Sequence, residues 1–206
     1  MTDEAPCFTA DDVKILGDEK VYSGFFKMHR YHIKHRLIEG GWSEVMQREC
    51  LKRRQAVGVL PYDPYTDRVV LVEQFRVGAM ARPAGPWLME LVVGIVPDGY
   101  DPHGWAFVET KEEAGCELIE AEYVCTCMPS PGSSDELLTL YVGGVDSSGV
   151  GGRTGNVEAG EDLWVQTYSR EEAWRALEEG YICHAPTIIA LQWLQMNHKR
   201  LQEQWQ

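Results

Sequence analysis

Apolar and polar residues alternate in short runs along the first quarter of the chain, a period that is typical of β-strands. These runs lie between about Val13 and Lys52, and Gly40-Gly41 interrupts them as a turn would. They predict an antiparallel meander with one apolar face. Because so few strands are marginally stable alone, this region must dock on the rest of the chain or on a second subunit. We therefore predict an N-terminal β region at 1–54 and a main domain at 55–206.

The main domain mixes strand-like and helix-like patterns without strict alternation. Apolar runs predict strands at 55–60, 68–74, 87–96, 122–127, 137–145 and 163–167. Helical spacing and capping residues predict helices at 102–114, 170–179 and 185–204. The segment 61–67 is typical of a turn, and the glycine-rich segment 146–161 of a long loop. This mixture predicts the α+β class, with a mixed sheet between helices.

Charge and cysteine usage narrow the classes of function. The formal net charge is −13, so the surface repels phosphate backbones and nucleic acid is not an expected partner. A small phosphorylated substrate would need a metal ion or arginines to bind. No apolar run nears the ~20 residues of a membrane span, so no membrane association is expected. Six cysteines without zinc or disulfide spacing, and an acidic N-terminus, predict a cytoplasmic protein.

Three glutamates in the predicted helix at 102–114 carry the main chemical signal. Glu109, Glu112 and Glu113 are spaced i, i+3 and i+4, so a helix places them on one face. Like charges so close need compensation, and Mg²⁺ prefers carboxylate oxygens and phosphates as ligands. From this spacing alone, a solvated acidic face relieved by Lys111 is the more common interpretation.

The segment 94–116 resembles the Nudix box, G-x₅-E-x₇-R-E-U-x-E-E-x-G-U. The residues on its register are Gly94, Glu109, Glu112, Glu113, Gly115 and Cys116. Other segments are similar to the bacterial ADP-ribose pyrophosphatase branch of that superfamily. They are 22–26, 73–76, 86–91, 130–132, 161–162 and 190–194. The resemblance covers about residues 10–206 and implies a Nudix α/β/α sandwich behind a small antiparallel β region.

The resemblance implies a Mg²⁺-dependent hydrolase that splits ADP-ribose or a related ADP-sugar into AMP and ribose 5-phosphate. It implies two or three Mg²⁺ ions, with Mn²⁺ as the alternative, and attack of a metal-activated water on phosphorus. The implied metal ligands are the Val93 carbonyl, Glu109, Glu112, Glu113 and Glu161. The partner is a small nucleotide sugar, and the branch is homodimeric through its N-terminal region.

Further site residues follow from the same resemblance. Arg76 matches a residue that contacts substrate phosphates, for which a planar guanidinium is suited. Gly94 is assigned with it to the substrate-binding set. Phe25 would stack on adenine or serve as a core residue, and Arg48 and Glu49 would reach the site from a partner subunit.

Several box positions depart from the pattern. Tyr100 and Val108 stand where the box has a paired Glu and Arg, and we expect the two to pack against each other. Ala159 stands where the branch has a candidate general base, so Glu158 and Glu136 are the replacement candidates. These departures keep two alternatives open. One is a catalytically weak or inactive Nudix protein that binds ADP-ribose, and the other is a hydrolase of another nucleotide sugar or dinucleotide.

Overall fold

The computed structural model describes residues 7–155, 158 and 160–206. The chain divides into two compact units. The first contains the described residues up to Arg53 together with Ser130–Glu136, and the second contains Arg54–Pro129 and Leu137–Gln206. The segment 130–136 thus belongs with the N-terminal region, and the division at residue 54 as a domain boundary stays a prediction.

The first unit is the antiparallel meander that the sequence predicts. Its strands are β1 (Val13–Ser23), β2 (Lys27–His35) and β3 (Met46–Lys52), in that order. The connection from β2 to β3 contains Gly40 and Gly41, which have φ values of 92° and 81° that disfavour other residues.

The second unit is built on one eight-stranded mixed sheet. Its strands are β4 (Ala56–Asp63), β5 (Arg68–Phe75), β6 (Trp87–Glu90), β7 (Val92–Ile95), β8 (Glu120–Cys127), β9 (Leu138–Gly144), β10 (Gly152–Thr154) and β11 (Leu163–Ser169). The main order is β10-β11-β5-β4-β9-β8, while β6 pairs with β5 and β7 with β4. Only the β4–β9 pair of these described strands is parallel.

Helices cover both faces of this sheet, because its central strands are apolar on both sides. On one face, the strands share a core cluster with residues of helix α1 (Pro102–Ala114). The strand residues of this cluster include Val57, Val59, Val70 and Val72. The alternate positions, including Leu60 and Leu71, belong to the cluster formed with α2 (Arg170–Glu178) and α3 (Ala185–Trp205). The predicted α/β/α sandwich is confirmed.

The structure corrects three element boundaries. The predicted turn at 61–67 begins later, because β4 runs to Asp63 and its Pro61 and Tyr62 pair with β9. The predicted strand at 87–96 is two strands, β6 and β7, which pair with different neighbours. The predicted loop at 146–161 contains the short strand β10. Among the described helices, none combines the length and apolarity that crossing a bilayer requires.

Candidate active site

The helix α1 begins and ends where its capping residues predict. The Asp101 carboxylate accepts the Gly104 N–H at 2.9 Å, and Pro102 occupies the first turn, where its missing N–H costs nothing. Gly115 ends the helix at φ 67°, a left-handed conformation that glycine adopts readily. Glu109, Glu112 and Glu113 therefore lie on successive turns of one helix, as the spacing predicts.

Strand β7 contacts two of these carboxylates. The Val93 N–H donates to Glu113 Oε2 at 3.2 Å. The Glu109 carboxylate lies against Gly94, in space that any β-carbon at that position would fill. The structure therefore brings together Val93, Gly94, Glu109 and Glu113, while a ligand role for the Val93 carbonyl stays a prediction.

Negative charge is concentrated here without a matching cation. Burial, and after it the nearby carboxylates of Glu112 and Glu161, raise the pKa of Glu109 to about 7. Burial raises the pKa of Glu113 to about 8, with Glu109 adding to the effect and the Val93 N–H and Arg76 opposing it. No described Lys, Arg or His forms a salt bridge with these four glutamates, and Lys111 pairs with Glu117 instead at 2.6 Å.

Glu161 reaches this cluster from the loop between β10 and β11. It is exposed, and its charge raises the pKa of both Glu109 and Glu113, after burial as the main cause. The same loop is tied to the helix, because the Thr154 hydroxyl donates to the Glu113 carbonyl at 2.5 Å. Of the four predicted carboxylate ligands, two are thus partly buried on α1 and two, Glu112 and Glu161, are exposed.

The donor set fits a hard divalent cation in its chemistry. Within the described residues, no three acidic, His or Cys side chains are arranged closely enough to hold a metal ion as they stand. Burial, and after it the neighbouring carboxylates, raise the carboxyl pKa values of Glu109 and Glu113, and a bound divalent cation would offset both effects. Carboxylate oxygens of this kind are the ligands that Mg²⁺ and Mn²⁺ prefer.

Arg76 has a partner that sequence reasoning missed. Its Nη2 lies 2.7 Å from Oε2 of Glu90, whose side chain is 0% exposed. His184 lies near the same carboxylate, with its Nδ1 3.8 Å from Oε2. The available signal in the sequence was a lone charged residue, Glu90, inside the apolar run at 87–96.

Trp105 is a second residue that sequence reasoning missed. Its indole Nε1 is buried and has no hydrogen bond of standard geometry to the described residues. The indole N–H nevertheless attracts the carboxyl of Glu109, one turn further along α1, and lowers the pKa of that group against the larger effect of burial. Tyr100, which is 57% exposed, packs edge-on against Trp105 with ring centroids 5.0 Å apart. The expected contact of Tyr100 with Val108 stays a prediction.

The other predicted substrate residues and one candidate base lie in the first unit. Phe25 is 87% exposed and contacts Phe26 edge-on, so it is not a core side chain of this chain. Arg30 binds Glu49 at 2.9 Å, and Arg48 donates to the Gln47 carbonyl at 2.8 Å. Glu136 accepts from Arg53 at 2.7 Å and stays a candidate base.

The remaining predictions concern the loop before Glu161. Glu158 is exposed and stays a candidate base. Ala159, the position where the expected base is missing, lies outside the described residues.

The fold and the carboxylate helix together define a hydrolase of the Nudix type. Over 201 residues the chain is 40% identical to the ADP-ribose pyrophosphatase of Haemophilus influenzae, covering 96% of this chain and 93% of that protein. It is 39% identical over 198 residues to the ADP-ribose pyrophosphatase of Escherichia coli strain K12, covering 96% and 95%. The chain therefore belongs to the ADP-ribose pyrophosphatase family of Nudix hydrolases.

The fold comparison agrees with this assignment. A crystal structure of an ADP compounds hydrolase matches the chain with a TM-score of 0.70 over 96% of this chain and 98% of that one. At 18% identity this likeness concerns the fold alone. No protein-family model matches the chain.

Proposed function

We propose that the chain hydrolyses the pyrophosphate bond of ADP-ribose, or of a closely related ADP-sugar, to AMP and ribose 5-phosphate in a Mg²⁺-dependent reaction. One observation carries this proposal. The Glu109 carboxylate lies against Gly94 and the Glu113 carboxylate accepts the Val93 N–H, the Glu161 charge raises the pKa of both after burial, and no described cation forms an ion pair with these three acids. The relatives that are 39–40% identical to the chain and cover 96% of it are ADP-ribose pyrophosphatases, which supports this substrate class.

Residues of this chain would bind the divalent cation that the reaction requires. Glu109, Glu112, Glu113, Glu161 and the Val93 carbonyl would hold the divalent cation, Mg²⁺ or in its place Mn²⁺. Such a cation, when bound, lowers the pKa of water and neutralises charge on the phosphates. Gly94 leaves the room that the Glu109 carboxylate occupies.

Proton transfer and phosphate binding need further groups. Arg76 supplies a guanidinium beside the carboxylate helix, and its charge already acts on Glu113. The proton that leaves the attacking water needs an acceptor, for which Glu158 and Glu136 are the candidates.

A homodimer would complete the substrate site. Apolar side chains on β1, including Ile15 and Leu16, are exposed in the single chain, as is Phe25 beyond it. Burying them against a second copy would be favourable. Phe25, Arg48 and Glu49 of that copy would then contact the nucleotide.

The test is incubation of purified protein with ADP-ribose and Mg²⁺, with AMP measured by chromatography. We expect AMP from the wild-type protein and a loss of at least about 100-fold in rate for Glu113→Gln. Glu117→Gln is the matched control, because Glu117 is an exposed acid near the end of the same helix that pairs only with Lys111 among the described residues. Equal rates for Glu113→Gln and wild type would refute the assignment.

The departures at the box support a second candidate function, a protein that binds ADP-ribose and turns it over slowly. Tyr100 packs on Trp105 and leaves no ion pair at that position. Calorimetric binding of ADP-ribose without release of AMP would select this alternative.

A further inference from the structure

The Arg76 side chain is held in one plane by Glu90. Its Nε lies 3.2 Å and 3.1 Å from the two carboxylate oxygens, and its Nη2 lies 2.7 Å from Oε2. The Arg76 backbone N–H also donates to the Pro86 carbonyl at 2.8 Å. An arginine bound in this forked manner loses most of its freedom to rotate, which gives the contact geometric specificity.

A second set of contacts connects the Glu90 segment with the start of α3. It is fully buried, and the His184 imidazole lies 3.8 Å from it and shares a 2.9 Å hydrogen bond with Thr187 Oγ1. The Thr187 oxygen accepts the N–H of Leu91, the residue after Glu90, at 2.9 Å. These contacts tie the junction between β6 and β7 to the first turn of α3.

Arg76 is the one described side chain that compensates the Glu90 charge. Burial lowers the pKa of His184 below its ordinary value of 6.5, the Glu90 charge opposes this effect and the Arg76 charge adds to it, so the imidazole is neutral at neutral pH. A buried carboxylate needs both a partner and hydrogen bonds, and Arg76 provides them.

One nitrogen of the Arg76 guanidinium, Nη1, does not bind Glu90. Nε and Nη2 bind Glu90, whereas Nη1 donates to no described residue, and the Arg76 side chain is 39% exposed. The Arg76 charge also acts on Glu113. Its partner Glu90 is only three residues before Val93, whose N–H binds Glu113 at 3.2 Å, so the guanidinium lies near the carboxylate helix with two N–H groups available to an anion.

We infer that Glu90 is a positioning residue, which fixes the plane of Arg76 so that Nη1 is presented to the diphosphate of a substrate bound at the carboxylate helix. This inference rests on the proposed function for the identity of the substrate. Glu90 touches no substrate itself and acts only through Arg76.

Charge and positioning predict opposite effects when Glu90 is neutralised. Glu90→Gln removes a negative charge near an anion site, so simple electrostatics predicts tighter binding of ADP-ribose. Loss of the forked contact predicts weaker binding, because Arg76 is then free to rotate. The sign of the change separates the two explanations.

The experiment measures KM and kcat for ADP-ribose with Mg²⁺, and the affinity for its non-hydrolysable α,β-methylene analogue by calorimetry. The variants are Glu90→Gln and Arg76→Lys, with circular dichroism as the check on folding. Asp67→Asn is the matched control, because Asp67 holds Arg170 by two contacts of 2.9 Å in an ion pair that the proposed site does not use.

We expect Glu90→Gln to raise KM and weaken analogue binding by about 10-fold or more, with kcat changed less than threefold. Arg76→Lys should weaken binding at least as much, and Asp67→Asn should change neither quantity. Unchanged or tighter analogue binding by a folded Glu90→Gln protein would overturn the inference. If Glu90→Gln does not fold, Arg76→Lys decides, and unchanged analogue binding by that variant overturns the inference.

Failure of the proposed function gives a different result. A wild-type protein that binds the analogue in a Glu90-dependent manner, but releases no AMP, would refute hydrolysis and leave the positioning role intact. A wild-type protein that binds neither compound would overturn both.

Discussion

The carboxylate of Glu109 lies against Gly94, in the space that a β-carbon on residue 94 would occupy. Gly94 lies in strand β7 without a positive φ, so a side chain is excluded here by the carboxylate and not by backbone strain. The glycine therefore matters because it lets the helix α1 and the strand β7 approach with an acid between them.

Gly94→Ala should displace the Glu109 carboxylate and leave the fold intact, because the end of a glutamate side chain can move. We expect Mn²⁺ affinity, measured by electron paramagnetic resonance, to fall by about 10-fold. Gly78→Ala is the control, since a β-carbon there meets no atom within 4 Å. Equal Mn²⁺ affinity in both variants would show that the Glu109 position does not depend on Gly94.

Trp105→Phe should weaken metal binding through Glu109. The variant keeps an aromatic ring against Tyr100 and removes the indole N–H that lowers the pKa of Glu109. We expect Mn²⁺ affinity to fall several-fold, because groups that orient a metal ligand tune its affinity. Trp174→Phe is the matched control, since Trp174 donates to Glu178 at 2.8 Å with the same helical spacing on α2. A similar loss in both variants would contradict this role for Trp105.

The metal-free protein should lose stability as the pH rises from about 4.5 to about 8. The folded-state pKa values of about 7 for Glu109 and about 8 for Glu113 lie above the ordinary carboxyl value of 4.5, so the folded state binds more protons in this range. Their contribution is complete at low pH and is lost as the pH rises through these values. Urea midpoints in EDTA should fall over this range.

Two comparisons isolate this effect from other titrating groups. Glu113→Gln should flatten the pH dependence, and saturating Mg²⁺ should flatten it in the wild type. A wild-type midpoint in EDTA that rises between about pH 5 and about pH 8 would contradict the sign.

Thr154→Val should reduce activity more than its effect on stability explains. The Thr154 hydroxyl donates to the Glu113 carbonyl and holds the loop that carries Glu161 beside α1. We expect a stability loss of about 1 kcal/mol and a lower kcat for ADP-ribose. Thr126→Val is the control, because it removes a hydroxyl hydrogen bond between Thr126 on β8 and Thr139 on β9. Equal activity losses in the two variants would show that Thr154 does not position Glu161 for catalysis.

The sequence by itself determined the local elements and the helix that carries the acids. Alternation predicts the strands because successive strand side chains point to opposite faces, and capping residues such as Asp101 and Gly115 predict the ends of α1 because they satisfy its free backbone groups. The spacing of Glu109, Glu112 and Glu113 placed them on one helix face, and the resemblance to the Nudix box indicated what they do.

Only the tertiary structure decided which distant residues serve that helix. Three contacts join residues far apart in the chain, and no local period predicts them. They are Glu90 with Arg76, Glu90 with His184, and Thr154 with the Glu113 carbonyl. The same holds for the break between β6 and β7, because pairing with two different strands ends one apolar run in the middle. Local patterns reflect which side chains of a segment are buried and how its ends are capped. Packing of the sheet against its helices decides which segments come into contact.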